Sequence, residues 1–148
     1  MRKAIVPDIL HDFPIHAPAA RVFDAISTAR GLDAWWAEES SGEPLEGTEL
    51  ALGFGPEYRW RARVVRSRPP VEFEIELTHA DADWTGSRVG FVLEPNGEKT
   101  QVHFRHVGWP QPNEHWRISC FCWAMYLRLL RRYVEQGEVV PYHQRLDV

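Results

Sequence analysis

The stretch that decides the fold runs from Asn113 to Gly137, NEHWRISCFCWAMYLRLLRRYVEQG. Asn113 suits a helix cap, because its side-chain oxygen can accept one of the first free N–H groups. Gly137 suits the residue past the end, where a left-handed backbone closes the last turn. About 24 helical residues make a rod about 36 Å long. Trp116, Cys120, Trp123, Leu127, Leu130 and Val134 recur at steps of three and four, one apolar stripe along the rod. Ile118, Phe121, Cys122 and Met125 cover other faces of its front half. That half is therefore expected to be buried on several sides. Arg128, Arg131 and Arg132 turn the back half to water and sit near the negative helix end.

Upstream, the apolar period changes to two. Ile9-Leu10-His11-Asp12-Phe13-Pro14-Ile15 reads as a first strand, with Ile9, His11, Phe13 and Ile15 on one face and Pro14 marking an edge or an end. Pro18 to Ser27 reads as a short helix with the stripe Val22, Phe23 and Ile26. A second, holding Leu32, Trp35 and Trp36, follows a break placed at Gly31. Glu38 to Gly47 reads as a polar loop. Leu50–Phe54 and Tyr58–Arg66 are strands, the latter alternating Tyr58, Trp60, Ala62 and Val64 against Arg59, Arg61 and Arg63. Val71–Thr78 alternates Val71, Phe73, Ile75 and Leu77 against Glu72, Glu74 and Glu76. These two are antiparallel neighbours with an apolar inner face and an Arg/Glu outer face, whose cross-strand pairs stabilise the register by roughly 0.2–1 kcal/mol each. His79–Gly86 reads as a polar hairpin tip. Arg88–Glu94 and Thr100–Val107 form a hairpin across Asn96-Gly97, a dipeptide that tolerates positive φ. Val102, Phe104 and His106 face inward.

The chain of 148 residues has the length of one domain, 1–148, with a core over about 9–137 and a tail, 138–148, that adds little. With 17 basic and 21 acidic side chains its net charge is −4, which argues against non-specific nucleic-acid binding. No apolar run reaches the roughly 18 residues of a membrane span, and Met1 to Asp8 lacks a signal-peptide core. Two cysteines two residues apart build no disulfide framework and fit a reduced, cytoplasmic setting. Strands with one apolar face need a cover, and only the last helix is long enough. An α+β architecture follows, a curved antiparallel sheet around a long C-terminal helix, with a gap expected between sheet and helix.

Phe13-Pro14-Ile15-His16-Ala17-Pro18, Arg21-Val22-Phe23-Asp24-Ala25-Ile26-Ser27-Thr28 and Gly31-Leu32-Asp33-Ala34-Trp35-Trp36 resemble the N-terminal signature of the START-like (SRPBCC) superfamily. His106-Val107-Gly108-Trp109-Pro110, Trp123 and Leu127 to Gly137 resemble its branch related to the C-terminal domain of the Hsp90 ATPase activator. The resemblance implies a helix-grip fold and an apolar pocket. It leaves three functions open: binding of a small, largely apolar molecule, a chaperone-activator-like interaction module, and a cyclase- or hydrolase-like enzyme using His106.

Trp60, Phe73, Phe91, Phe104, His106, Trp109, Trp116, Cys120 and Trp123 are the expected lining of a ligand cavity, with a small hydrophobic molecule as guest. An inward His106 could orient a ligand or move a proton, with Asp12, Glu38 or Glu57 as carboxylate partner; the plainer reading is a core histidine satisfied by backbone or by packing on Trp109. His103 and His106, three apart on a strand, face opposite ways, and Cys120 and Cys122 do not face each other on a helix, so no metal site is expected. No nucleophile elbow or phosphate-binding glycine loop is present. The cysteines read as small buried hydrophobes, and the Trp35-Trp36 pair reads as closing one end of the sheet. No cofactor is expected. A homodimer is compatible with the sequence, and a chaperone partner is the lesser expectation.

Overall fold

The computed structural model describes residues 5–148; the reading of the terminus at Met1 to Ala4 lies outside them. β1 (Ile9–Ile15) is followed by α1 (Ala19–Ser27), α2 (Ala29–Trp35), β2 (Glu39–Ser41), β3 (Glu49–Gly53), β4 (Arg59–Arg68), β5 (Glu72–His79), β6 (Arg88–Asn96), β7 (Lys99–Val107) and α3 (Glu114–Gln136). A 3-10 turn, Tyr142–Asp147, comes last. The seven strands form one antiparallel sheet in the order β1-β7-β6-β5-β4-β3-β2. Its outer strands are β1, in which Pro14 has no N–H to offer, and β2, three residues long. The sheet curves around α3, and α1 and α2 close the side between them. This is the helix-grip arrangement expected from the sequence.

The caps of α3 are as read. Asn113 Oδ1 accepts the N–H of Trp116 at 3.0 Å, and Gly137 has φ of 70°. The Arg/Glu face also holds, with Arg63 to Glu76 at 3.0 Å and Arg66 to Glu72 at 3.1 Å. Glu74 stays on that face but is buried, because Gly90 beside it on β6 leaves room for Arg105 of β7 to reach across and donate from Nε and NH2 at 3.0 and 2.8 Å.

Six expectations are corrected. The break between the first two helices lies at Thr28, whose hydroxyl accepts the N–H of Gly31. Gly31 is inside α2, and a side chain is excluded there because a Cβ would lie 2.6 Å from the carbonyl oxygens of Asp24 and Ala25. The polar loop after α2 contains strand β2. Tyr58 precedes β4 and is 48% exposed rather than inward. The hairpin tip before β6 contains Trp84, which is 8% exposed. The front half of α3 is buried on one side only, leaving Ile118 50% and Phe121 78% exposed, because the sheet wraps a single side of the rod. The tail is structural. Arg145 is buried and donates to the carbonyls of Asp33, Ala37 and Val140 at 2.7, 3.0 and 2.9 Å. Asp33 lies in the last turn of α2, where four carbonyls have no helical partner, and Ala37 just past its cap. Arg145 therefore caps α2 from 112 residues away along the chain.

Candidate functional site

Little of the expected gap between sheet and helix survives along most of α3. The space bounded by Trp35, Phe73, Phe91 and Trp123 is about 10 Å³, too small for one water. The large rings fill it, as interiors pack to near-crystalline density. The space opens at one end, where the front of α3 faces the β3–β4 hairpin, the β5–β6 loop and the C-terminal 3-10 turn. There a groove of about 320 Å³ is lined by rings from all four.

Five of those rings make a closed circuit. Successive centroids lie 5.2 Å apart from Trp36 to Phe54, 4.8 Å to Trp60, 5.1 Å to Trp84, 5.7 Å to Trp123 and 5.2 Å back to Trp36. Each spacing lies in the range where aromatic pairs attract by roughly 0.5–1.5 kcal/mol beyond their buried area. The local causes are distinct. Trp36 ends α2, Phe54 and Trp60 flank the turn at Gly55, and Trp123 lies on the buried stripe of α3. Trp84 is folded inward by bonds from its own N–H and that of Thr85 to the carbonyl of Asp81, both 2.9 Å. Its indole donates to Ser119 Oγ at 3.4 Å. Tyr58, Tyr126 and Tyr142 complete the wall.

The loop is tied to α3 by one carboxylate. Asp83 Oδ2 accepts from Asn113 Nδ2 at 3.2 Å and from His115 Nδ1 at 3.1 Å. The His115 bond, then the Asn113 bond, hold the Asp83 carboxyl below the usual carboxylate range. His115 borders the groove.

His106 does not. It is completely buried behind Trp84 and Trp123, with both ring nitrogens taken. Trp123 Nε1 lies 3.1 Å from Nδ1 and Ser87 Oγ lies 2.7 Å from Nε2. The Ser87 hydroxyl donates to the carbonyl of Trp84 at 2.6 Å, so it accepts from His106. The imidazole is thus neutral, carrying its proton on Nε2. Burial, aided by the nearby His115 charge, pushes its pKa down to about 3. It is a core histidine and has no free nitrogen for a guest.

Of the nine residues expected to line a cavity, Trp60 and Trp123 line the groove. Trp109 packs 6.0 Å from Trp84 and 5.0 Å from His106, one layer behind. Phe73, Phe91 and Phe104 fill the closed part of the core. Trp116 is half-buried and donates to the carbonyl of Pro7 at 3.2 Å, away from the groove. Cys120 and Cys122 are half-buried rather than buried, and only Cys122 borders the groove. Burial raises the Cys122 thiol and pushes the Tyr126 hydroxyl to about 12, so neither ionises near neutrality. The other lining residues, among them Trp36, Phe54, Asp81, Trp84, His115 and Tyr142, are not in the expected set. His115, Ser119, Cys122 and Tyr126, at helical steps of three and four, carried the signal that could have found four of the groove's residues.

A curved sheet closed on one helix, with an aromatic groove at its open end, defines a helix-grip domain of the START-like (SRPBCC) superfamily. Within it, this chain belongs to the Activator of Hsp90 ATPase homolog 1-like family, whose model matches residues 16–135. It is similar in structure to the Aha1 dimer of Colwellia psychrerythraea, at 24% identity and a TM-score of 0.81 over 90% of this chain and 99% of that one. A protein of Bacillus halodurans matches at 25% identity and a TM-score of 0.73, over 88% and 98%. CalU16 of Micromonospora echinospora matches at 20% and 0.69, over 95% and 83%. No curated protein sequence matches this one. Among the described residues no helix is long and apolar enough to cross a membrane.

Proposed function

We propose that this domain binds a small, largely apolar molecule in the groove between the front of α3 and the β3–β4 hairpin. The observation that carries the reading is the closed circuit of five rings, which opens to solvent as a space of about 320 Å³. That volume lies at the small end of ligand sites, which are lined by aromatic side chains with a few polar groups. Tyr58, Asp81, His115 and Ser119 supply the polar groups. Native mass spectrometry after incubation with mixed lipids and polyketides tests it. A retained guest, lost in Trp60→Ala, supports the reading; no retained guest and no change in tryptophan emission overturns it. The free thiols of Cys120 and Cys122 suit a reducing compartment such as the cytoplasm.

A second reading, a protein-contact module of the chaperone-activator kind, is favoured by Phe121 and Ile118, which stand exposed on the uncovered side of α3. Large exposed apolar side chains side by side mark contact surfaces. The similarity to a dimer suits a second copy on that face equally. ATP turnover of an Hsp90-class chaperone, unchanged on adding this protein, rejects the chaperone arm. Sedimentation as a monomer rejects the dimer.

A further inference from the structure

We infer that the guest of the groove carries a positive charge, an organic ammonium seated against the indole faces with the Asp81 carboxylate as counter-ion. The inference rests on the groove reading and narrows it to a ligand class. Three observations support it.

The first is the wall itself. Trp36, Trp60, Trp84 and Trp123 all line one space, and tryptophan presents the most negative face of any side chain to a cation. Circuits of several rings around one small volume are how quaternary and methylated ammonium groups are recognised, because every face attracts the same charge.

The second is the charge on the rim. Asp81 borders the groove, and among the described residues no side chain donates to its carboxylate. Its position is nevertheless fixed. Its own carbonyl accepts from the backbone of Trp84 and Thr85 and from the Thr85 hydroxyl at 3.1 Å. A half-buried carboxylate with no side-chain donor among the described residues, held on a fixed turn beside apolar faces, is open to pairing with a cation.

The third is the lack of competing cations on the wall. Among the described residues no Lys or Arg lines the groove. His115 is paired with Asp83 at 3.1 Å. Arg145 lies 5.5 Å from the Tyr142 ring, outside the lining, with its guanidinium spent on three backbone carbonyls. Among the described residues that line the groove, the unpaired formal charge is therefore the Asp81 carboxylate.

The test is a tryptophan-fluorescence titration of the full chain with two probes of one shape, choline and its uncharged carbon isostere 3,3-dimethylbutan-1-ol. Choline is expected to bind at least tenfold more tightly. Asp81→Asn, which breaks no side-chain bond among the described residues, should bring the ratio of the two affinities down toward one. An unaltered thermal melt confirms that this variant folds. Equal affinity for the two probes, or a preference that survives Asp81→Asn, overturns the charge inference and leaves the apolar groove standing. Binding of neither probe at the highest soluble concentration overturns both.

Discussion

Trp123 donates its indole N–H to Nδ1 of His106 across 3.1 Å, and that bond fixes the charge state of the imidazole. A second proton could enter only at Nδ1, where a donor already points. The folded ring, with a pKa of about 3, therefore stays neutral where the unfolded ring, near 6.5, becomes charged. Between those values the unfolded chain holds one more proton than the folded one. Stability from this group is thus complete above pH 6.5 and falls as the pH drops toward 3, by roughly 1.4 kcal/mol per pH unit at the steepest. Urea unfolding at a series of pH values should show this slope, and His106→Gln should flatten it. A stability that is level from pH 6 to pH 4 would remove His106 as its source.

His103, on the opposite face of the same strand, titrates the other way. Its Nδ1 lies 2.6 Å from Asp12 Oδ1 and its Nε2 3.2 Å from Glu94 Oε2. The Asp12 bond, then the Glu94 bond, raise its pKa above 6.5. Its contribution is present below pH 6.5 and is lost as the pH rises through the folded value, and it is small because the site is exposed. Proton NMR titration should return the His103 pKa toward 6.5 in Asp12→Asn, and further in the double variant with Glu94→Gln.

Trp60, like Phe54, is a half-exposed member of the ring circuit, so it separates binding from folding. Trp60→Ala is expected to cost about 1–2 kcal/mol of stability, against roughly 3–5 kcal/mol for the buried Trp123→Ala. It should weaken binding of an aromatic probe at least tenfold. Paired denaturation and fluorescence titrations measure the two effects; a Trp60→Ala protein with undiminished affinity would move the guest elsewhere.

Arg145→Ala leaves three carbonyls without their donor, one in the last turn of α2 and one just past its cap. The expected loss is about 3 kcal/mol, since bonds to a charged donor contribute roughly 1.5–3 kcal/mol each and the site is partly open to water. Arg145→Lys should recover only part of it, because one ammonium cannot span the fork. A loss below about 0.5 kcal/mol in chemical denaturation would return the tail to a passive role.

Gly31→Ala sets two effects against each other. In a helix the change ordinarily gains about 1 kcal/mol. Here the added Cβ would sit 2.6 Å from two carbonyl oxygens of α1, which must separate to admit it. A net loss of about 2 kcal/mol is expected, and a gain would show that the two helices can part freely.

The sequence carried the frame because its periods were clean. Asn113 and Gly137 bounded α3 within a residue, and Asn96-Gly97 placed the turn between β6 and β7. It carried less of the groove, because the groove is made by chain ends and turns. Trp84 sits in a polar stretch whose turn folds it inward through the Asp81 carbonyl, a contact with no periodic signature. Trp36 and Tyr142 reach the same wall from opposite ends of the chain. His106 was placed inward by period two, yet nothing in that period shows that Trp123 and Ser87 hold both nitrogens. The apolar front of α3 looked enclosed because a stripe count cannot tell a face against the sheet from one left bare.

The two rims of the sheet bear on how this protein behaves when crowded. Pro14 breaks the donor row along β1, and three residues of β2 give a newcomer almost no length to zip against. Unsatisfied strand borders are the usual templates for fibrils and runaway polymerisation. With both borders this poor as templates, a molecule that displays bare phenyl and indole surface can be concentrated with little risk of growing end to end into ribbons.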